Sequence, residues 1–321
     1  MKMWRTAGGV LAAVLALAGC GATAAASDGR PRVLAAFYPY YFAAQRVGGG
    51  DVTVGLLTPP GLEPHDLELS PRQVAAIGRA DLVVYQRGFQ PSVDDAVRLE
   101  RPAHELDVNA VLGRAPGGAE VRDTVSSGRA EAEEAEGPAA PPADLLADPH
   151  VWLDPRAMAG VARSVADALA EADPGHAAAY RDRAGALAAA LAALDTDLAA
   201  GLAGCPRRDL VTNHAAFGHL AARYGLTQTA VNGLTPDAEP SPRRLAALVT
   251  LVRERGVATV FTETLASPRV AETLARDAGV RTATLDPLEG LAAGATGDYL
   301  SVMRANLAAL RDGLGCAGGA R

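Results

Sequence analysis

The sequence predicts an α/β protein of two lobes, each a parallel β-sheet covered by helices, joined by one long rigid helix. Three observations predict this fold. Apolar strand-like runs alternate with helical patterns in the first half, the same alternation returns in the second half, and a long helical stripe lies between them. With 321 residues, 49% of them hydrophobic, the chain is long enough for two cores. We expect a first lobe at 32–172, a linking helix at 173–203 and a second lobe at 204–321.

The N-terminus predicts export and attachment to a membrane. Two basic residues precede an apolar run that is too short to span a bilayer and is typical of a signal peptide. The run ends in Leu17-Ala18-Gly19-Cys20, which resembles a bacterial lipobox. We therefore expect a signal peptide at 1–19, a lipidated Cys20 and a flexible leader at 20–31, with the protein on the outer face of the cytoplasmic membrane. The alternative is secretory cleavage within the Ala-rich stretch 22–26, with Cys20 lost.

Two further cysteines, Cys205 and Cys316, remain after Cys20 is set aside. Two thiols in an oxidising compartment predict one disulfide. Neither lies in a CxxC motif or near a histidine, so neither is expected to bind metal.

The first lobe begins with three apolar runs that predict buried strands at 33–37, 52–57 and 81–85. A capping serine and a proline start a helix that runs from Ser70-Pro71 to about Arg79. Strands separated by helices predict a parallel sheet. Residues 114–148 interrupt the pattern, because they are rich in Gly, Pro, Ala and Glu without apolar periodicity, and they predict a mobile acidic loop.

The linking helix is predicted from one apolar stripe between about 175 and 201, which corresponds to a length of ~40 Å. Such a length suits a helix that touches both lobes. The residues of the stripe are Tyr180, Leu187, Leu191, Leu194, Leu198 and Leu202.

The second lobe repeats the pattern of the first. Strands are predicted at 209–212, 257–261 and 280–285 from their apolar runs. Helices are predicted from His214 to Gly225, from Ser241-Pro242 to Gly256 and from Ser267-Pro268 to Gly279.

The candidate binding residues are three histidines and an aspartate in loops between these elements. His65 and His150 lie in proline-rich loops, while His214 and Asp286 directly follow predicted strands. Ligands of open parallel sheets bind beyond the carboxyl ends of the strands, and prolines hold such loops at little entropic cost. The net charge of −7 favours a cation as the ligand and opposes a nucleic-acid partner. The histidines at 104, 176 and 219 lie in ordinary settings and are not expected to be ligands.

These segments resemble the metal-specific solute-binding proteins of bacterial zinc and manganese ABC importers, the ZnuA- and TroA-like cluster A-I family. The similarity runs over about residues 31–316. It implies a metal ion between two lobes, held by His65 and His150 from the first lobe and by His214 and Asp286 from the second. It further implies a monomer that delivers the ion to a membrane permease. Other segments that carry the resemblance are those at Tyr180, Phe261-Thr262-Glu263 and Asp298–Leu307.

The resemblance also bears on the choice of metal and on the fourth ligand. Manganese-selective members carry a carboxylate at the position of His214, whereas three imidazoles and one carboxylate suit Zn²⁺. Some relatives have Ser or Asn at the position of Asp286, so Glu289 is the alternative fourth ligand and Glu63 a more remote one. Asp286 is favoured because a short side chain at a strand end is well fixed. Zinc members often have a His-rich loop where this chain has its acidic loop, so a second, His-based capture site is not expected.

Other functions remain as alternatives to a zinc-binding protein that is not an enzyme. A manganese or iron carrier would use the same fold. A zinc hydrolase would need a general base, for which Glu263 or Glu289 is available, but the HExxH motif of common zinc enzymes is absent from the sequence. An adhesin or chaperone-like role is neither supported nor excluded by the sequence.

Overall fold

The structure, a computed structural model, describes residues 29–112, 148–236, 240–292, 294 and 296–316. The predicted signal peptide, Cys20, most of the leader and all of the acidic loop except Asp148 lie outside these residues. By its contacts the chain divides into Met1–Arg30 and Pro31–Arg321, and both predicted lobes lie within the second unit.

The first lobe is a four-stranded parallel sheet in the order β2-β1-β3-β4. The first three strands lie near the predicted positions because their apolar side chains are buried, as in β3, where all four residues are buried. The sequence did not predict β4, a short strand at the edge of the sheet that reads Glu-Leu-Asp. The cap of α2 is also as the sequence predicts, since Ser70 and Gln73 form a reciprocal capping box with proline at the first helical position. The strands are β1 (Arg32–Ala35), β2 (Thr53–Leu56), β3 (Leu82–Tyr85) and β4 (Glu105–Asp107), and the helices are α1 (Tyr38–Gly48), α2 (Pro71–Ile77), α3 (Pro91–Glu100), α4 (Val108–Val111) and α5 (Pro155–Ala172).

The linking helix α6 (Ala177–Ala203) packs against both lobes. It contacts α1 and α5 of the first lobe and two helices of the second lobe, α7 (Gly218–Tyr224) and α10 (Tyr299–Leu314). All six residues of the predicted apolar stripe are buried in these contacts. Among the described residues, Pro174–Ala203 is the one helical segment long and apolar enough to cross a membrane, but its leucines form part of the protein core.

The second lobe is a parallel sheet with the same topology, in the order β6-β5-β7-β8. The sequence did not predict β6, because this strand reads Thr-Gln-Thr-Ala and lies at the edge of the sheet, where it pairs with β5 and stays partly exposed. The strands are β5 (Asp209–Thr212), β6 (Thr227–Ala230), β7 (Thr259–Glu263) and β8 (Arg281–Leu285), and the helices are α7 (Gly218–Tyr224), α8 (Pro242–Glu254), α9 (Arg269–Ala278) and α10 (Tyr299–Leu314).

One apolar core runs through both lobes. It extends from the first sheet across α6 to the face of the second sheet that is covered by α10. A smaller cluster on the other face of the second sheet packs β5 and β7 against α8 and α9. The lobes are therefore joined by packing along α6 as well as by the chain itself.

Cys205, just after α6, and Cys316, just after α10, lie next to each other with their Cα atoms 4.1 Å apart. The pair lies where the linking helix meets the last helix of the chain.

A buried carboxylate on α6 accepts hydrogen bonds from residues of both lobes. Asp195 accepts hydrogen bonds from Arg223 at 2.7 and 2.8 Å and from the Tyr224 hydroxyl at 2.9 Å, both on α7. Arg156 on α5 donates to the same carboxylate at 3.1 Å. The hydrogen bond from Arg223 is the largest influence on the pKa of Asp195, which falls to about 2.

We expect Asp195→Asn to lower the free energy of unfolding at pH 7 by about 2 kcal/mol, because the folded pKa of about 2 lies below the usual value of about 3.9. A carboxyl group with a lowered pKa stabilises the fold above its unfolded pKa, and that stabilisation is lost as the pH falls through the folded pKa. Urea unfolding should therefore show a gap between wild type and variant that narrows from pH 4 towards pH 2.

The matched control is Asp197→Asn on the same helix, because Asp197 is 54% exposed and pairs with Arg304 only at 3.8 Å. It should leave stability nearly unchanged. Equal losses in the two variants would contradict the role assigned to the Asp195 cluster.

Candidate metal centre

Four side chains converge between the lobes. The ligating atoms of His65, His150, His214 and Glu289 all lie within 4.8 Å of one another. The Nε2 atoms of the three imidazoles lie 3.3, 2.9 and 3.1 Å from Oε1 of Glu289, in that order. In a tetrahedral zinc site with bonds of ~2.0–2.1 Å, neighbouring ligand atoms are about 3.3 Å apart. The spacing of this cluster therefore suits a small tetrahedral cation.

The cluster is nearly closed to solvent. The side chains of His150, His214 and Glu289 are at most 2% exposed, and that of His65 is 8% exposed. His65, His214 and Glu289 follow the carboxyl ends of β2, β5 and β8, the edge at which parallel sheets bind ligands. The structure thus brings together the three histidines that the sequence singles out.

The loop that carries His65 is held from both lobes. Within the first lobe, the Gln90 amide donates to the carbonyl of Pro64 at 3.0 Å. Across the lobes, the backbone N–H of Gly61, at a φ of 86° that favours glycine, donates to the carbonyl of Leu291 at 2.8 Å. The loop is therefore ordered by contacts that do not involve the imidazole.

Glu63, the remote candidate for the fourth ligand, has another role. Its Oε1 accepts the backbone N–H of His65 at 3.2 Å, and it is absent from the four-residue cluster. It supports the backbone of the His65 loop.

Asp148 orients His150. Its Oδ1 atom accepts both the ring Nδ1–H at 2.7 Å and the backbone N–H of His150 at 3.0 Å. The Gln86 amide fixes the intervening residue by donating to the carbonyl of Pro149 at 2.8 Å. With Nδ1 as the donor, Nε2 can direct its lone pair into the cluster.

Glu263 does the same for His214. Its Oε2 accepts from the ring Nδ1, and its Oε1 accepts the backbone N–H of His214 at 2.9 Å. The contact arises because β7, which ends at Glu263, lies next to β5, which leads into His214. Both orienting carboxylates are buried, at 6% exposure for Asp148 and 5% for Glu263.

These two orienting roles are not predicted from the sequence. There Glu263 is a candidate base for a hydrolase and part of a segment that carries the family resemblance, and Asp148 is the end of the acidic loop 114–148. The signal for Asp148 is its position two residues before a histidine. The signal for Glu263 is its place at the end of β7, the strand next to the one that leads into His214. Recognising this signal requires knowledge of the strand order in the sheet, and the strand positions in the sequence do not give that order.

The fourth member of the cluster is Glu289, whereas the sequence analysis favoured Asp286. The Asp286 carboxylate turns back on its own chain, where Oδ1 accepts the N–H of Leu288 at 2.7 Å. Its backbone is bonded on both sides by the Asn306 amide, at 2.9 and 2.7 Å. The Asp286 side chain is well fixed, as expected, but it is fixed by a hydrogen bond within a turn and not by the metal site. This turn leads the following residues towards the imidazoles.

Leu288 completes that turn with a φ of 60°, a left-handed conformation that is uncommon for a residue other than glycine. It is fully buried, and the packing around it stabilises the conformation. The next residue, Glu289, is thereby directed into the cluster.

The electrostatics of the cluster differ between its histidines. Burial lowers the pKa of His214, but Glu263 and Glu289 outweigh burial and raise it to about 10. Burial also lowers the pKa of His150, and the charge and hydrogen bond of Asp148, together with Glu289, produce a net rise.

His65 differs because burial prevails and its pKa lies below the ordinary value. For Glu289, burial raises the pKa, but the hydrogen bonds and charges of the imidazoles prevail and hold the pKa well below its usual range. These shifts favour the ionised form of the Glu289 carboxylate, the neutral form of the His65 imidazole and the protonated forms of His150 and His214.

The remaining histidines lie outside the cluster, as the sequence predicts. His219 donates from Nε2 to the carbonyl of Asp148 at 3.0 Å, a contact between the lobes beside the site. His176 donates to Asp173 at 2.6 Å at the start of the linking helix. The carbonyl of His104 accepts from Val83 in the first sheet.

Fold and site together define a two-lobed α/β protein with a buried cluster of four donors between its lobes. The family model described as ZnuA, "Zinc-uptake complex component A periplasmic", matches residues 33–313. The high-affinity zinc uptake system protein ZnuA of Bacillus subtilis is 32% identical over 322 residues, covering 98% of each chain. The chain therefore belongs to the ZnuA family.

A pneumococcal protein and the structure of one of its domains are also similar. The zinc-binding lipoprotein AdcA of Streptococcus pneumoniae is 35% identical over 292 residues, which is 89% of this chain and 56% of that protein. The zinc-bound ZnuA-like domain of pneumococcal AdcA superposes with a TM-score of 0.71 at 33% identity, covering 89% of this chain and 99% of the domain. The chain thus spans about half the length of the streptococcal AdcA proteins.

Two substitutions separate the candidates for the fourth ligand. Glu289→Gln should weaken Zn²⁺ binding by at least about 100-fold, because it removes the ionised oxygen common to the three imidazoles. Asp286→Asn keeps an acceptor for the N–H of Leu288 and should change affinity by less than about threefold. Titration against a chromophoric chelator measures both constants, and a larger loss in Asp286→Asn than in Glu289→Gln would reverse the assignment.

Proposed function

We propose that this protein captures Zn²⁺ between its two lobes outside the cytoplasm and delivers it to an ABC importer. The observation that carries the proposal is the cluster of three imidazole nitrogens and one carboxylate oxygen within 4.8 Å of one another. The proposed ligands are His65, His150, His214 and Glu289. Zinc is the cargo of the protein in this proposal and not a resident cofactor.

The donor set favours zinc over manganese. Three nitrogens and one oxygen suit the borderline-soft Zn²⁺, whereas Mn²⁺ favours sites rich in oxygen. The charge of the ion is met by Glu289 and by the two buried carboxylates behind the imidazoles, Asp148 and Glu263. These carboxylates also make the imidazoles better donors, because each accepts the Nδ1–H of a ligand.

Binding and release follow from competition between zinc and protons. Because the pKa values of His150 and His214 are raised, zinc must displace protons from them, and acidification opposes binding. His65 is the most exposed of the four side chains, so it is on the side from which the ion reaches solvent.

The arrangement favours a carrier over a zinc hydrolase. Catalytic zinc sites keep one position open for water, whereas the four donors here are enough to fill a four-coordinate zinc site. Glu263, one candidate for a general base, is occupied by the ring and backbone of His214, and Glu289 belongs to the donor set itself. The family description, a component of a zinc-uptake complex, also favours a carrier.

The location and partner of the protein follow the same proposal. The family is described as periplasmic, and the pneumococcal relative is named a lipoprotein. The lipobox at 17–20 supports attachment of Cys20 to the outer face of the cytoplasmic membrane, after removal of residues 1–19. A monomer with lobes at 32–172 and 204–321, joined through 173–203, would meet the membrane permease of the importer.

The decisive experiment is competition between metals for the demetallated protein, residues 21–321. Zn²⁺ should bind at least about 100-fold more tightly than Mn²⁺ at equal free metal, because of the nitrogen-rich donor set. His214→Ala should lose most of the zinc affinity while its circular dichroism stays that of wild type. A preference for Mn²⁺, or metal-dependent turnover of ester or peptide substrates, would overturn the proposal.

We also propose that Cys205 and Cys316 are oxidised to a disulfide in the exported protein. The bond would close a loop across 111 positions of sequence and stabilise the fold by roughly 2–5 kcal/mol. Thiol titration of the denatured protein, residues 21–321, should find no free thiol until a reductant is added. Two free thiols before reduction would contradict the disulfide.

A further inference from the structure

The indole of Trp152 lies between the two loops that carry His150 and Glu289. It is fully buried, and its centroid lies 5.2 Å from that of the His150 ring. Phe37 and Phe89 pack against it at 4.8 and 5.3 Å, so its position is fixed by the core of the first lobe.

The indole N–H makes a hydrogen bond from one lobe to the other. Nε1 of Trp152 donates to the backbone carbonyl of Pro287 at 2.7 Å. Trp152 lies two residues after His150, and Pro287 lies two residues before Glu289. The bond therefore joins the two ligand loops directly, close to both proposed ligands.

A second bond fastens the same segment. The hydroxyl of Tyr299, at the start of α10 in the second lobe, donates to the backbone carbonyl of Trp152 at 2.5 Å. The Tyr299 ring is stacked on Phe42 of the first lobe with centroids 5.3 Å apart. Both the side chain and the backbone of Trp152 are thus bonded to the second lobe.

The carbonyl that the indole contacts belongs to the peptide unit before Leu288, the residue with the left-handed φ of 60°. Asp286 holds the N–H of this peptide unit at 2.7 Å, and the indole holds its oxygen. Fixing both ends of one peptide unit fixes the direction in which the chain continues to Glu289. The hydrogen bonds of Glu289 itself run to the three imidazoles, so its backbone turn has to place the carboxylate.

On this geometry we propose that Trp152 is a positioning residue for metal binding. Through its hydrogen bond to Pro287 it holds the Glu289 carboxylate at the correct distance from His150 and the other imidazoles. The inference rests on the proposed function, because it assigns Trp152 a part in building the same metal site. It adds a residue that touches no metal but determines how well the ligands from the two lobes fit together.

The test is Trp152→Phe, which removes the N–H donor and keeps an aromatic ring in the core. Zinc affinity should fall by about 10- to 100-fold, the range for residues that support metal ligands. The loss should lie mainly in a faster dissociation rate, measured by stopped flow with excess chelator. Calorimetry with Zn²⁺ alone, with circular dichroism as a check of folding, measures the affinity.

A double-mutant cycle with Glu289→Gln distinguishes positioning from general destabilisation. If Trp152 acts by placing Glu289, then Trp152→Phe should cost less than about threefold in affinity once the carboxylate is gone. If Trp152 merely supports the fold, it should cost the same in both backgrounds, and that result would overturn the inference.

Two further variants complete the design. Tyr180→Phe, which removes a hydrogen bond from a buried tyrosine to Asp173 at the start of the linking helix, is the matched control and should leave zinc affinity unchanged. Tyr299→Phe loses only the hydrogen bond to the Trp152 carbonyl and should weaken zinc binding by about threefold to tenfold. If Trp152→Phe does not fold, the zinc affinity of Tyr299→Phe tests the proposed role of Trp152. Wild-type affinity in folded Trp152→Phe or in Tyr299→Phe overturns this inference alone, whereas a wild-type protein that binds no zinc overturns the proposed function with it.

Discussion

One carboxylate oxygen, Oε1 of Glu289, lies within 3.3 Å of three imidazole nitrogens that come from three separate loops. These side chains are taken almost completely out of water, and burying charged groups is unfavourable unless each has a partner. The surrounding structure meets this constraint. Asp148 and Glu263 pair with the outer nitrogens of two imidazoles, and each of these carboxylates also accepts the backbone N–H of the histidine that it orients. The buried charged groups of the site all have partners only when both lobes contribute their residues to it.

The fold serves this requirement by repeating one topology. Each lobe is a four-stranded parallel sheet in the order 2-1-3-4 within the lobe, so each presents strand ends and their loops at one edge. The linking helix packs against helices of both lobes, and the core continues across it. The two edges are therefore held facing each other by apolar packing, by the Asp195 cluster and by hydrogen bonds between the ligand loops.

By sequence, each lobe contributes two residues to the four-donor cluster. His65 comes from a loop of the first sheet, and His214 and Glu289 come from the second. The segment of His150 belongs to the first lobe by sequence, but His219, Tyr299 and Pro287 of the second lobe all hydrogen-bond to it. The chain just before α5 thus connects the two halves of the site, a role that its place in the sequence does not reveal.

The sequence by itself determined the fold class, the alternation of strands and helices and the three histidines. Apolar periodicity and capping residues are local signals, and a histidine in a stiff loop after a strand can be recognised without knowing its neighbours. The edge strand β6 was not predicted from the sequence, because a polar strand lacks the apolar run by which strands are recognised. Only the tertiary structure places Glu289, rather than Asp286, beside the three imidazoles, and only it shows the contacts of Asp148, Glu263 and Trp152 with the ligand loops. The physical reason is that these contacts depend on the directions in which side chains point. The left-handed turn at Leu288 determines the direction of Glu289, and the pairing of β5 with β7 brings Glu263 to His214. Neither the turn nor the strand pairing can be read from spacing along the chain.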